Sequence, residues 1–234
     1  MRLRRASRAA PGPLNADVRR RHVARSPDHR GTSNDPAAFL RKFILGRLDG
    51  FQKDMEICLT PIPSKSRAGN THAYFPALAA CCALLEYLTV LYRGRTDPPG
   101  WRNVFGWADR YLPKPYYDED SVRILVDHFR NSIAHRGIAT GVWIDRKPGP
   151  GHGRRLTWQV SADARRPSVN VVAEAGKLKR DPPWPCTYTH RVHIHLKSLI
   201  ADIRGGALAY AEDAASNPLL RERFYACMRN LYPA

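Results

Sequence analysis

Acidic residues are scarce in this chain: 21 Asp and Glu stand against 38 Lys and Arg over 234 residues, a formal charge of +17. The imbalance points to an anionic partner, nucleic acid first and an acidic membrane surface second. Arg far outnumbers Lys, which fits a GC-rich coding sequence as well as selection for phosphate-gripping forks. Cysteine is sparse too. Cys58, Cys81, Cys82, Cys186 and Cys227 are odd in number and form no C-x-x-C pair, which argues against a disulfide framework and for free thiols in a reducing cytoplasm. The N-terminus has no apolar signal core, and the longest apolar stretch, 74–92, is broken by Glu86 and Thr89, so no membrane span is expected. No Walker or dinucleotide glycine motif occurs, and no Ser or Cys stands in a nucleophile context.

What remains suits a folded protein of one domain, with 43% hydrophobic and 9% aromatic residues. Residues 1–34 hold nine Arg against Asp17 and Asp28 and almost no large apolar side chains. Such a tail cannot offset its ordering entropy and is expected to be disordered. It reads as a nucleic-acid-binding arm, a transit-like presequence or translated upstream sequence.

From Asn34 onward the pattern is periodic. Asn34 or Asp35 can cap a helix over 36–59, with Leu40, Phe43, Ile44, Leu48, Phe51 and Met55 at helical spacing. Residues 74–92 make a second helix, apolar nearly all round and stopped by Gly94, and residues 101–111 a shorter third. A fourth starts at Asp118 or Ser121 and runs to Arg136, with Gly137 as its cap. Strands are expected over 138–145, 155–161, 168–173 and 187–196, then helices over 197–213 and 218–231. The fold class is mainly α: a helical domain over 35–234 with a small antiparallel β-sheet inserted at about 138–196, before the last two helices.

The fourth helix carries the most telling residues. On a wheel of about 100° per residue, Val122, Leu125, Val126, Phe129 and Ile133 form a core stripe. His128, Asn131 and His135 gather nearly opposite, with Ile124 among them and Asp127 adjacent. Arg130 lies between the two faces, while Asn131 and His135, at i and i+4, can touch. The spacing Arg130-Asn131-x-x-x-His135 resembles the Arg-(polar)-x-x-x-His motif of the HEPN superfamily, the higher eukaryote and prokaryote nucleotide-binding domains. That resemblance implies a HEPN-like antiparallel bundle over residues 36–137 and the closing helices. It also implies a metal-independent endoribonuclease of defence or toxin systems. In the family two motif helices face each other, so a homodimer through the 119–136 face is expected, sharing Arg and His between protomers. An antitoxin or defence-system partner would follow from the same resemblance. Relatives neutralised by nucleotidyl transfer carry a Tyr two residues after the His, where this chain has Gly137.

The residue types suit the chemistry. Metal-free RNA cleavage removes the 2′-hydroxyl proton, stabilises a pentacoordinate phosphorane and protonates the 5′-oxygen. His135 is the acid or base, typically worth ~10²–10⁴-fold. Arg130 would fork onto phosphate oxygens, and Asn131 would orient the imidazole or the phosphate. Asp127 and His128 beside the motif are expected to support it. Glu86, the one acid in the apolar second helix, either orients Arg130 or His135 or simply reaches the bundle rim.

The strand region is basic, and Arg154, Arg155, Arg191, His193, His195 and Lys197 are its expected RNA contacts. Trp143, Trp158 and Trp184 fit base stacking or the sheet's own core. Cys186, His190, His193 and His195 invite a zinc reading, but His190 points away from the other two and no second ligand pair follows. No metal or cofactor is therefore expected. Two other functions compete with an RNA-cleaving homodimer: a non-catalytic HEPN-like module binding RNA or protein, and a basic helical scaffold without a nucleic-acid role.

Overall fold

Local signals set the helix ends. Asp35 accepts the Ala37 amide at 2.9 Å and Pro36 opens α1 (Pro36–Leu59), whose buried stripe is Leu40, Ile44, Leu48, Phe51 and Met55. The α2 helix (Tyr74–Arg93) ends at Gly94 in the left-handed conformation, φ 73°. A Cβ there would meet the Arg223 backbone at 2.9 Å, so glycine is needed for conformation and for space. By length and composition α2 could cross a membrane, but more than half of that stretch is buried inside the molecule. The α3 helix (Trp101–Tyr111) follows. At the far end, Asn217 caps α7 (Pro218–Leu231) by accepting the Leu219 amide at 3.0 Å.

The computed structural model describes residues 35–61, 73–136, 141–146, 151–178 and 186–233. The basic tail, Gly137 and Trp184 lie outside these residues. The chain from Asp35 to Ala234 is one unit, mainly helical, with a four-stranded sheet.

The helical run 119–136 opens with α4 (Glu119–Arg123), where Asp118 caps the Ser121 amide at 2.8 Å. It widens into a π-helical stretch (Ile124–Arg130) and closes as α5 (Asn131–Arg136). The Asn131 amide reaches back to Val126, five residues earlier. Because i→i+5 turns advance each residue by less than about 100°, side chains spread around the whole circumference. Ile124 and His128, which the regular wheel puts on an outer face, are instead both wholly buried.

The sheet is mixed. Strands β1 (Trp143–Ile144), β2 (Arg155–Ser161), β3 (Val169–Lys177) and β4 (Thr187–His195) lie in the order β1-β2-β4-β3. The β2–β4 pair is parallel, matching Leu156 with His190 and Ser161 with His195, and the other two pairs are antiparallel. This corrects the all-antiparallel expectation. Alternation in sequence reports which face is buried but not which strand is the neighbour. With Tyr188, Val192 and Ile194 buried, β4 takes a central place between β2 and β3.

Leu156, Trp158 and Val160 put the inner face of β2 against the helices, and the Trp158 ring meets Phe75 edge-on at 5.2 Å. So Trp158 belongs to the core. Two buried carboxylates tie the inserted segment to the helices. Asp202, on α6 (Leu196–Ser216), accepts from Tyr117 at 2.8 Å, Ser168 at 2.6 Å and both terminal nitrogens of Arg166. Asp145 pairs with Arg123 at 2.5 Å and Arg154 at 3.3 Å.

Candidate functional site

Beside α5 lies an open cleft of about 460 Å³. One wall is the helix face of Asp127, Asn131, Ser132 and His135; the other is the inserted segment's Val142, Trp143, Ile144 and Arg146. Asp127, Asn131 and His135 follow at intervals of four, which puts them on one side of the helix. The core stripe gives out here: Phe129 is fully buried, whereas His135 is exposed.

Arg130 does not line this cleft. Its Nε lies 2.7 Å from Glu86 Oε1, and its Nη1 donates to Asn131 Oδ1 at 2.8 Å. Glu86 thus meets Arg130, one of the two partners the sequence suggested for it. Burial pushes the Glu86 carboxyl above its ordinary range, and the neighbouring Arg130 charge pulls it part of the way back. With Oδ1 engaged by Arg130, the Asn131 side-chain amide is held in one orientation beside the cleft. One chain therefore brings Asn131 and His135 to a common cleft and keeps the Arg130 guanidinium one residue away, on its own carboxylate.

The second wall is firmly held. Trp143 stacks on His128 with ring centres 5.2 Å apart and planes at 20°, and the Arg123 guanidinium lies 5.6 Å from the Trp143 ring centre. His128 packs this wall from behind and makes no polar contact with the motif. Neither of its ring nitrogens has a hydrogen-bond partner among the described residues, and burial lowers its pKa to about 4. Asp120 accepts from both Arg123 and Arg154 at 2.8 Å and 2.7 Å. Burial raises its carboxyl and those hydrogen bonds more than reverse the effect, so its pKa is lowered.

The expected RNA contacts of the strand region separate. Arg154 is taken up by Asp120 and Asp145, and Arg191 by Glu174 at 2.6 Å. His193 and His195 stack at 6.5 Å on the outer sheet face, where His195 Nδ1 lies 3.1 Å from the Ser161 hydroxyl. Arg155 and Lys197 are exposed. Among the described residues, no group of three or more His, Cys, Asp or Glu is arranged to hold a metal ion.

Sequence reading missed Arg146. It sits beside a turn-rich stretch, with no periodicity to place it, and only the Asp145 clamp brings it to the cleft. Compared with protein-family models, curated proteins and solved structures, the chain matches none.

Proposed function

We propose that this protein is a HEPN-like, metal-independent endoribonuclease of the cytoplasm, working in a defence or toxin setting. What carries this reading is the meeting of Asn131 and His135 on one polar cleft, beside an Arg130 that orients Asn131 through its side-chain oxygen. The motif spacing and the charge of +17 agree with an RNA substrate.

In the reaction, His135 removes the proton from a ribose 2′-hydroxyl. The freed oxygen attacks phosphorus, and the bond to the 5′-oxygen breaks. A proton returned to that oxygen completes the step, leaving a 2′,3′-cyclic phosphate and a 5′-hydroxyl. An imidazole can serve either transfer because it exchanges protons near neutral pH. The substrate is RNA because its own 2′-hydroxyl is the nucleophile. Pairing of two protomers across the exposed last turn would bring a second His135 to the same phosphate. That dimer is centred on Asn131 and His135 and excludes Ile124, which is sealed inside.

The test is incubation of labelled single-stranded RNA with the protein in EDTA. Cleavage leaving cyclic phosphate ends, and blocked by a single 2′-deoxy substitution at the cut position, is the expected result. RNA bound but never cut favours the non-catalytic module, which draws on the neutralisation of Arg130 by Glu86. Sedimentation of the unliganded protein checks the dimer.

A further inference from the structure

We propose that Arg146 is the residue that grips the RNA phosphate in this cleft, with Arg130 acting only as a positioning residue through Asn131. This rests on the reading of the cleft as an RNA site.

The guanidinium groups around the motif are mostly committed. Arg123 holds Asp120 and Asp145, Arg154 holds the same two acids, and Arg130 holds Glu86. A guanidinium neutralised in this way offers little attraction to a phosphate. Arg146 differs: it lines the cleft, is exposed, and makes no ion pair among the described residues.

Its position is not that of a loose surface side chain. The preceding residue, Asp145, is only 1% exposed and is clamped by the buried Arg123 and the half-buried Arg154. The Asp145 backbone is fixed as well, its amide donating to Arg154 O at 2.9 Å and its carbonyl accepting from Gly153 at 2.8 Å. Two residues before Arg146 on the other side of that clamp stands Ile144, and then Trp143 on its His128 stack, both in the cleft wall. The arrangement sets a free fork donor on a rigid support across from Asn131 and His135, as phosphate recognition requires. The cleft volume falls within the range of ordinary ligand sites and admits a nucleotide. Asp127 is the carboxylate among its lining residues; with Arg146 and His135 it makes up the cleft's charged and titratable set.

The test measures binding of a single-stranded RNA made uncleavable by 2′-deoxy substitution, followed by anisotropy across a salt series. Arg146→Gln is expected to weaken binding about 10-fold and to reduce the salt slope by about one, the signature of one lost phosphate contact. Arg146→Lys restores the slope and part of the affinity, because the charge returns without the fork. Arg229→Gln, an exposed arginine on α7, changes affinity less than about twofold and controls for net charge. The paired change Glu86→Gln with Arg130→Gln removes both charges together and leaves the slope unaltered. The proposal is overturned if Arg146→Gln binds no worse than Arg229→Gln, or if the paired change lowers the slope instead. Arg146-dependent binding by a protein that never cuts the all-ribose strand would sink the nuclease reading and leave this one standing. Cutting with Arg146-independent binding would do the reverse.

Discussion

The middle and the last turn of the helical run 119–136 have similar mixtures of apolar and polar residues but opposite surroundings. Over the π-helical stretch, Ile124, Leu125, Val126, His128 and Phe129 are all buried, even the histidine. In the last turn Asn131, Ser132 and Ile133 are half-buried, and Ala134 and His135 are exposed. A widened turn lets this stretch meet α2 on one side and the inserted segment on the other, so most of its faces serve packing. The cleft face, which begins at Asp127, widens over Asn131, Ser132 and His135 where the α-helical register returns. Imidazoles seven residues apart in one run therefore sit differently: His128 is a core aromatic that supports Trp143, and His135 is exposed on the cleft.

The comparison can be broken from either end. Ile124→Glu places a carboxylate in a sealed core at a cost of ~5 kcal/mol or more, and is expected to abolish folded, soluble protein. Ala134→Glu, in the last turn, should shift stability by no more than ~0.5 kcal/mol in urea unfolding. Similar behaviour of the two variants would refute the contrast. Arg123→Ala takes from the buried Asp145 the shorter of its ion pairs with Arg123 and Arg154, costing ~3 kcal/mol and loosening the Trp143 wall.

His128 supplies the next effect. Its pKa is near 4 in the folded protein against 6.5 when free, so the unfolded chain binds more protons between those values. Stability is then fully present above pH 6.5 and declines as pH falls toward 4, by up to ~3 kcal/mol. His128→Leu should flatten that part of the pH–stability curve, and an unchanged slope would count against a buried neutral ring. Glu86→Gln is expected to cost less, about 1 kcal/mol, because both partners keep some contact with solvent. Its clearer signature would be slower RNA cleavage as Asn131 loses its fixed orientation.

Much of the fold was legible because its signals are local. Asp35 with Pro36, Gly94, Asp118 and Asn217 with Pro218 mark helix ends through their own side chains or backbone. The α6 helix runs slightly past its expected bounds for the same reason that helix ends are hard to fix: the last turns rest on packing. The π-helical stretch is a tertiary choice with no composition of its own, so a regular wheel misplaced Ile124 and His128. The parallel β2–β4 pair was hidden because neighbour order depends on contacts across the chain. At the site, Asn131 and His135 were readable from spacing and Glu86 from its isolation in an apolar helix. Arg146 was not, since it reaches the cleft through Asp145, whose partners Arg123 and Arg154 lie elsewhere in sequence.

The most direct measurement is the rate of RNA cleavage in EDTA by His135→Ala beside the unaltered protein, with thermal midpoints recorded for both. Cleavage reduced ~10²–10⁴-fold at an unchanged midpoint is the expected outcome, since this exposed imidazole supports no packing. Cleavage that persists undiminished in His135→Ala, or that is missing from the unaltered protein, would contradict it.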